Sequence, residues 1–221
     1  MAAKKSTESK TIKNDPVKST VKYAVKSVDL KKKDKIIVGL TGTNCAGKGT
    51  IADYLKKKGF VYFSLSDIIR EEATRKGMDH SRDSLVKTGN ELRQKYGASV
   101  LGMLTAKKIA ESKEKKFIID SIRNPSEIDE LRKLPGFFLI AIDADISLRY
   151  ERSKTRGRNE NALSLEQFME QENREKSSDA KGQQLHNCIA MADFLIENNT
   201  GFSELYLKIE EILGMIVHFG I

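Results

Sequence analysis

Nine consecutive residues constrain this chain more than any others: Gly42-Thr43-Asn44-Cys45-Ala46-Gly47-Lys48-Gly49-Thr50. The apolar run Ile36-Ile37-Val38-Gly39-Leu40 ahead of them suits a buried strand, and Ile51, Tyr54 and Leu55 behind them fall at helical spacing. A G-x-x-x-x-G-K pattern between a strand and a helix is the context that a phosphate-binding loop requires. Glycine lets the backbone turn through positive φ and approach an anion with no Cβ in the way. The exposed N–H groups and the positive helix end then hold phosphate oxygens, and Lys48 adds a full charge. Gly49 stands where many such loops carry a Mg2+-binding hydroxyl, and Thr50 follows one residue later. Thr50 is therefore expected on phosphate, with Mg2+ held largely through water. Cys45, inside the loop, reads either as a small filler or as an oxidation-sensitive thiol.

From Lys35 onward, β-branched runs alternate with amphipathic segments. The patterning predicts strands at 36–40, 60–63, 117–119, 137–142 and 192–196. Helical sequence covers 85–96, 99–110 and 202–213, and a further helix is expected to start with Ser66 as its cap. Asn124-Pro125-Ser126-Glu127 combines a cap, a proline at the first helical position and an acid at the third, which marks another helix start. Strands separated by helices require crossover connections. The expected fold is therefore α/β in three layers: a five-stranded parallel sheet with helices on both faces.

The formal charge of +8 suggests nucleic acid, but its distribution argues otherwise. Residues 1–35 hold eleven lysines against Glu8, Asp15, Asp29 and Asp34, a net of +7, which leaves +1 for the rest. A body so nearly neutral cannot carry a large phosphate-backbone footprint. Residues 1–34 read as a disordered Lys-rich tail, either a solubilising extension or an arm for nucleic acid or an acidic protein. Residues 35–221 form the folded domain, expected as a monomer or dimer. No apolar run is long enough for a bilayer, so no membrane partner is expected. Two cysteines, Cys45 and Cys188, are too few for a disulfide scaffold and fit a reducing compartment, cytoplasmic or else mitochondrial or nuclear. His80, His186 and His218 show no metal or triad spacing, and the absence of H-x-E and P-C-x-x-C patterns excludes a zinc deaminase.

The Gly-Lys-Gly-Thr ending of the loop is similar to that of adenylate kinases and related nucleoside monophosphate kinases. Ser64-Leu65-Ser66-Asp67-Ile68-Ile69-Arg70 looks like that family's second-helix segment, and Asp120-Ser121-Ile122-Arg123 resembles its Asp-Gly-Phe-Pro-Arg. Arg152 and Arg156 match its arginine pair at the lid. Over 36–213 the likeness is closer to archaeal P-loop kinases labelled dephospho-CoA kinase-like and to domains fused to deoxycytidylate deaminases. The segments Leu40-Thr41-Gly42-Thr43-Asn44, Glu91-Leu92-Arg93-Gln94-Lys95-Tyr96-Gly97, Ala141-Ile142-Asp143-Ala144-Asp145 and Ala192-Asp193-Phe194-Leu195-Ile196 carry it. The chain departs from adenylate kinases in its short lid and in having Cys45 where they usually place glycine. It departs from dephospho-CoA kinases in lacking an Asp-x-Asp after the second strand.

The resemblance implies transfer of the ATP γ-phosphoryl group, with Mg2+, to a small phosphorylated acceptor. An acceptor-binding insertion is expected at about 64–113 and a lid at about 156–175. Gathering several negative charges at one point demands fixed cations, and arginine suits the task because its planar fork binds phosphate bidentately. Gly42, Asn44, Cys45, Ala46, Gly47, Lys48, Gly49 and Thr50, with Arg152 and Arg156, are expected to hold ATP. Asp67, Arg70, Arg93, Arg123 and Arg174 are assigned to the acceptor, with Arg174 alternatively closing over the ATP side. Lys48, Arg123, Arg156 and Asp120 are expected to be catalytic, and Thr50 and Asp120 to meet Mg2+ through water. A nucleoside or deoxynucleoside monophosphate leads among acceptors. A dephospho-CoA-type acceptor, an NTPase assembly factor and a degenerate regulatory domain are the alternatives.

Overall fold

The computed structural model describes residues 21–23, 34–155, 164–174 and 182–218. A six-stranded sheet runs in the order β1-β6-β5-β2-β4-β3. The strands are β1 (Val21–Tyr23), β2 (Ile36–Gly42), β3 (Val61–Ser64), β4 (Lys116–Asp120), β5 (Phe137–Asp143) and β6 (Phe194–Glu197). β3 to β6 join β2 in the expected five-stranded parallel core. β1 is a correction to the expected tail: it pairs antiparallel along β6, Val21 opposite Ile196, so the Lys-rich segment contributes an edge strand. Val21-Lys22-Tyr23 alternates over only three residues, too short a run to signal a strand by itself, and the neighbouring edge supplies the pairing.

The helices are α1 (Lys48–Lys57), α2 (Leu65–Arg75), α3 (Arg82–Tyr96), α4 (Val100–Glu111), α5 (Pro125–Leu131), α6 (Ile146–Thr155), α7 (Leu165–Arg174), α8 (Leu185–Ala190) and α9 (Phe202–His218). Successive side chains of β2 point to opposite faces. Val38 and Leu40 join Ile51, Leu55, Leu205, Ile209 and Ile212 of α1 and α9, whereas Ile37 joins Leu101, Ile109, Ile128 and Leu131 of α4 and α5. Leu205, Ile209, Ile212 and Ile216 are each at most 1% exposed, and each contributes roughly 1.5–3 kcal/mol by burial. The two clusters clamp the sheet from both sides.

The α2 cap is Ser64, not Ser66: β3 runs straight into the helix and Ser64 accepts from the Ser66 amide at 3.3 Å. The α5 start is as the sequence suggests, with Asn124 as cap, Pro125 first and Glu127 completing a capping box. The stretch expected as an insertion, 64–113, forms α2, α3 and α4 between β3 and β4.

All parallel strands point their carboxyl ends the same way, and the chain passes to opposite sides of β2 at β4 and β5. Ligands of open α/β sheets bind at such a switch point. Gly42, Ser64, Asp120 and Asp143 all lie at these ends.

Candidate functional site

The loop after β2 turns tightly over the start of α1. Gly42 has φ 131°, and a Cβ there would lie 1.9 Å from the Ile142 carbonyl oxygen of the neighbouring strand. Gly47 has φ 118°, and its Cβ would meet Asn198 Nδ2 at 2.6 Å. Both positions are closed to any other residue. Cys45 takes a left-handed φ of 59°, which accounts physically for the glycine that resembling enzymes have there. α1 carries no acid in its first turn, so its positive end faces the loop uncompensated by its own side chains. Lys48 Nζ donates to the Gly42 and Thr43 carbonyls, both at 2.7 Å.

Distant side chains brace this loop. Asn198, buried after β6, donates Nδ2 to the Ala46 carbonyl at 2.7 Å. Thr43 Oγ1 donates to Asp143 Oδ1 at 2.6 Å. Arg149 of α6, 5% exposed, donates to the carbonyl of Ala144 at 2.7 Å and of Asn44 at 3.5 Å, and pairs with Glu172 of α7. The loop is thus tied to α6 and, through Arg149, to α7.

A cleft of about 740 Å3 opens over the loop and extends in two directions. Lys48, Gly49, Thr50, Asn44, Cys45 and Gly47 line its middle. One arm is bounded by Arg152, Thr155, Asn198, Thr200, Gly201 and Phe202. Arg152 Nη2 donates to the carbonyls of Asn198 and Thr200 at 3.0 and 3.3 Å, and Phe202 is 68% exposed. The other arm is bounded by Tyr62, Ser64, Ser66, Arg70, Asp120, Ser121 and Arg123. Tyr62 donates its hydroxyl to Asp120 Oδ2 at 3.0 Å, and the Ser121 amide donates to Oδ1 at 2.6 Å. Burial, reinforced by the Asp120 charge, pushes the Tyr62 phenol well above its ordinary pKa, so it remains a donor. Ser121 has φ 65°, again a non-glycine in left-handed backbone where the resembling family has glycine.

Every expected loop residue except Gly42 and Ala46 lines the cleft, and those two shape it from behind. Lys48, Thr50, Asp120, Arg70, Arg123 and Arg152 share it. Asp67 does not line it; at 2.7 Å it pairs with Arg70 along the surface of α2. Arg93 requires a correction. It is 1% exposed, packed inside the α3–α5 interface with Nε and Nη2 on Glu127 Oε1 at 3.0 and 2.8 Å, so it cannot touch an acceptor in the cleft. Arg156, with the rest of 156–163 and residue 175 of the expected lid, lies outside the described residues, as does the side chain of Arg174 at the end of α7.

Sequence reasoning missed Tyr62, Asn198, Arg149, Glu127 and Gln183. Tyr62 shares a strand face with Ser64, two residues on, so period-2 reading of the strand could have found it. Asn198 follows a strand's carboxyl end, where a polar residue signals a ligand crevice. Glu127 was visible only as a helix cap.

The oxygen donors present fit Mg2+. Thr50 and Asp120 offer a hydroxyl and a carboxylate to the same cleft, and among the described residues no group of three or more His, Cys, Asp or Glu side chains forms a metal cage. Mg2+ accepts such a setting because it keeps several waters and takes its other oxygens from phosphate. No helix among the described residues is long and apolar enough to cross a membrane.

A family model described as an AAA domain matches residues 38–178. The UPF0200 protein of Pyrococcus abyssi is 31% identical over 84% of this chain and 99% of its own length. That of Sulfurisphaera tokodaii is 32% identical over 82% and 97%. Among solved structures, TT1252 from Thermus thermophilus superposes with a TM-score of 0.56 at 19% identity, over 83% of this chain and 98% of the other. A shikimate kinase from Bacteroides thetaiotaomicron gives 0.51 at 11% identity, over 82% and 98%. These likenesses show an α/β P-loop kinase-like fold. With a braced phosphate loop at the centre of that fold and relatives matched along nearly their whole length, the chain belongs to the UPF0200 family.

Proposed function

We propose that the protein transfers the γ-phosphoryl group of ATP to a nucleoside or deoxynucleoside monophosphate. One observation carries this reading: a single cleft has the phosphate loop at its middle and arginines in both arms, Arg152 in one and Arg70 and Arg123 in the other. A hydrolase acting on ATP alone needs no second cationic arm.

In this reading the triphosphate lies along the amides of 42–50, with the adenosine in the arm of Arg152 and the exposed ring of Phe202. Lys48 neutralises charge as the phosphoryl group moves, and Arg123 and Arg70 hold the acceptor phosphate. Mg2+, when bound, draws charge from the phosphate oxygens, and Thr50 and Asp120 are the residues that would hold it through water. Asp120, fixed by Tyr62 and the Ser121 amide, orients the acceptor end. Helix α6 borders the donor side through Arg152 and Thr155, α7 is tied to it by the Arg149–Glu172 pair, and their closure over the nucleotide would exclude water.

A second reading has its own support. Tyr62, Ser64, Ser66 and Ser121 give the acceptor arm a row of hydroxyls, and among the described residues bounding that arm only the Tyr62 ring offers an apolar face to a base. That lining also suits a small hydroxylated anion, a dephospho-CoA-type acceptor among them.

A coupled ADP-release screen over ribo- and deoxyribonucleoside monophosphates, dephospho-CoA and small polyol acids decides between them. Turnover with one monophosphate supports the first reading, and turnover with only the latter group supports the second. ATP turnover raised by RNA or a protein, with no small acceptor used, overturns both in favour of an assembly NTPase. Arg123→Ala should raise the acceptor KM roughly 10- to 150-fold, the loss of one charge-assisted contact of about 1.5–3 kcal/mol. An unchanged acceptor KM removes Arg123 from the site.

A further inference from the structure

The turn that delivers Arg123 into the acceptor arm is held from behind by a carboxylate no solvent reaches. Glu127 is fully buried, and Arg93 is 1% exposed. Glu127 Oε2 accepts the backbone amides of Arg123 and Asn124 at 3.0 and 3.1 Å. Its Oε1 accepts Nε and Nη2 of Arg93 at 3.0 and 2.8 Å. Room for the guanidinium comes from Gly89, one turn earlier on α3, where a Cβ would press on Ile69 at 3.0 Å and on Arg93 Nη1 at 3.4 Å.

This exceeds what a helix cap needs. A capping box asks for one bond from the third residue to the cap amide, and glutamine serves as well as glutamate. Here a charged pair is taken out of water, which is costly unless every oxygen is bonded. The fold even leaves Arg93 Nη1 buried without a partner among the described residues. On the other side of the turn, Gln184 N donates to the Arg123 carbonyl at 2.8 Å, and Arg123 Nη1 donates to Gln183 Oε1 at 3.0 Å.

We propose that Glu127 and Arg93 are positioning residues: their buried ion pair anchors the Arg123–Asn124 turn to α3 and so aims Arg123 at the acceptor phosphate, although neither side chain enters the cleft. The proposal rests on the reading of Arg123 as an acceptor-phosphate ligand. It also gives Arg93 of α3 a role at one remove from the chemistry.

Two variants of the full chain test it. In Glu127→Gln the side-chain amide must face either Arg93 or the two backbone N–H groups, donor against donor. In the double variant Arg93→Met with Glu127→Gln, the glutamine oxygen can still cap α5, but the anchor to α3 is gone. Acceptor and ATP kinetics are measured together with hydrogen exchange at the Arg123 and Asn124 amides. Both variants should raise the acceptor KM about tenfold, equivalent to 1.4 kcal/mol, leave the ATP KM within about twofold, and speed exchange at both amides. A double variant with wild-type acceptor KM and wild-type exchange overturns the proposal, because capping alone would then suffice. So does a parallel rise in both KM values, which marks a general loss of folding. If the wild type phosphorylates no monophosphate, the reading of function has failed, and amide exchange in the two variants still decides whether the pair positions the turn.

Discussion

Two turns at the carboxyl ends of neighbouring strands build this site, and they are built on different principles. The loop after β2 presents backbone amides and one lysine whose place in the chain is fixed. The turn after β4 presents a carboxylate and an arginine, held by side chains from α3, α5 and the segment before α8. Both put a non-glycine residue, Cys45 or Ser121, into left-handed backbone, and the strand that leads into the first holds the second: Thr41 Oγ1 of β2 donates to the Ile122 carbonyl at 2.9 Å. The first kind of turn takes its anion-binding groups from consecutive residues and is only braced from a distance, by Asn198, Asp143 and Arg149. The second needs the whole fold, and so it can be retuned for a different acceptor without disturbing the phosphate loop.

If that division holds, damage to the loop should lower turnover with every acceptor, whereas damage to the β4 turn should be felt through the acceptor alone. The largest effect is expected for Lys48→Ala. Its Nζ lies over the loop's first turn, bonded to the carbonyls of Gly42 and Thr43. Removing it should lower kcat on the order of 10²–10³-fold, the loss usual for one preorganised charge-stabilising group. Single-turnover transfer from ATP checks it. Retained transfer in Lys48→Ala would break the comparison, because the loop would then not be the catalytic half.

The same contrast governs what could be read in advance. The sheet and its helices were legible because β-branched runs and 3.6-residue spacing are local signals, and both cores follow from them. The loop was legible because its chemistry needs glycines and lysine at fixed separations. Arg70, Arg123 and Arg152 reach the cleft as expected, since each lies just beyond a recognisable strand or on the helix that follows one. Arg93 was misassigned because the sequence shows a charge on a helix and not its partner; Glu127 stands 34 residues away and meets it only when α3 packs on α5. The bond Asn198 makes was hidden for the same reason, 152 residues from the carbonyl it holds, although its place after a strand's carboxyl end was not. The β1 strand depends on an edge supplied by β6, so its own three residues could not announce it.

Asn198 gives the middle-sized test. Asn198→Ala removes the donor to the buried Ala46 carbonyl and should destabilise the protein by about 1–3 kcal/mol, the cost of a buried acceptor left without its bond. The loop should lose ATP affinity as well, while affinity for the acceptor alone stays as in the wild type. Calorimetric titration of MgATP and of the acceptor, beside a thermal melt, separates the two halves. Equal losses on both sides would mean that the turns move as one unit and would erase the distinction drawn between them.

The smallest effect concerns reactivity, not stability. Cys45 and Cys188 sit in opposite settings: Cys45 lines the cleft inside the phosphate loop, whereas Cys188 is fully buried on α8 beside the Arg93–Glu127 pair. Burial, with Glu127 adding to it, pushes the Cys188 thiol up to about 12, and only the thiolate is an effective nucleophile. Iodoacetamide on the native protein should therefore label Cys45 alone, with Cys188 reacting only after denaturation. Saturating MgATP should slow the labelling of Cys45, since a triphosphate wrapped by residues 42–50 covers its thiol. An acceptor bound without nucleotide should leave the rate unchanged, because its arm begins beyond Thr50, on the side of Tyr62 and Arg123. Mass mapping of the adduct in the three conditions reads this directly. Protection by the acceptor alone would place both ligands on the loop and collapse the two arms into one.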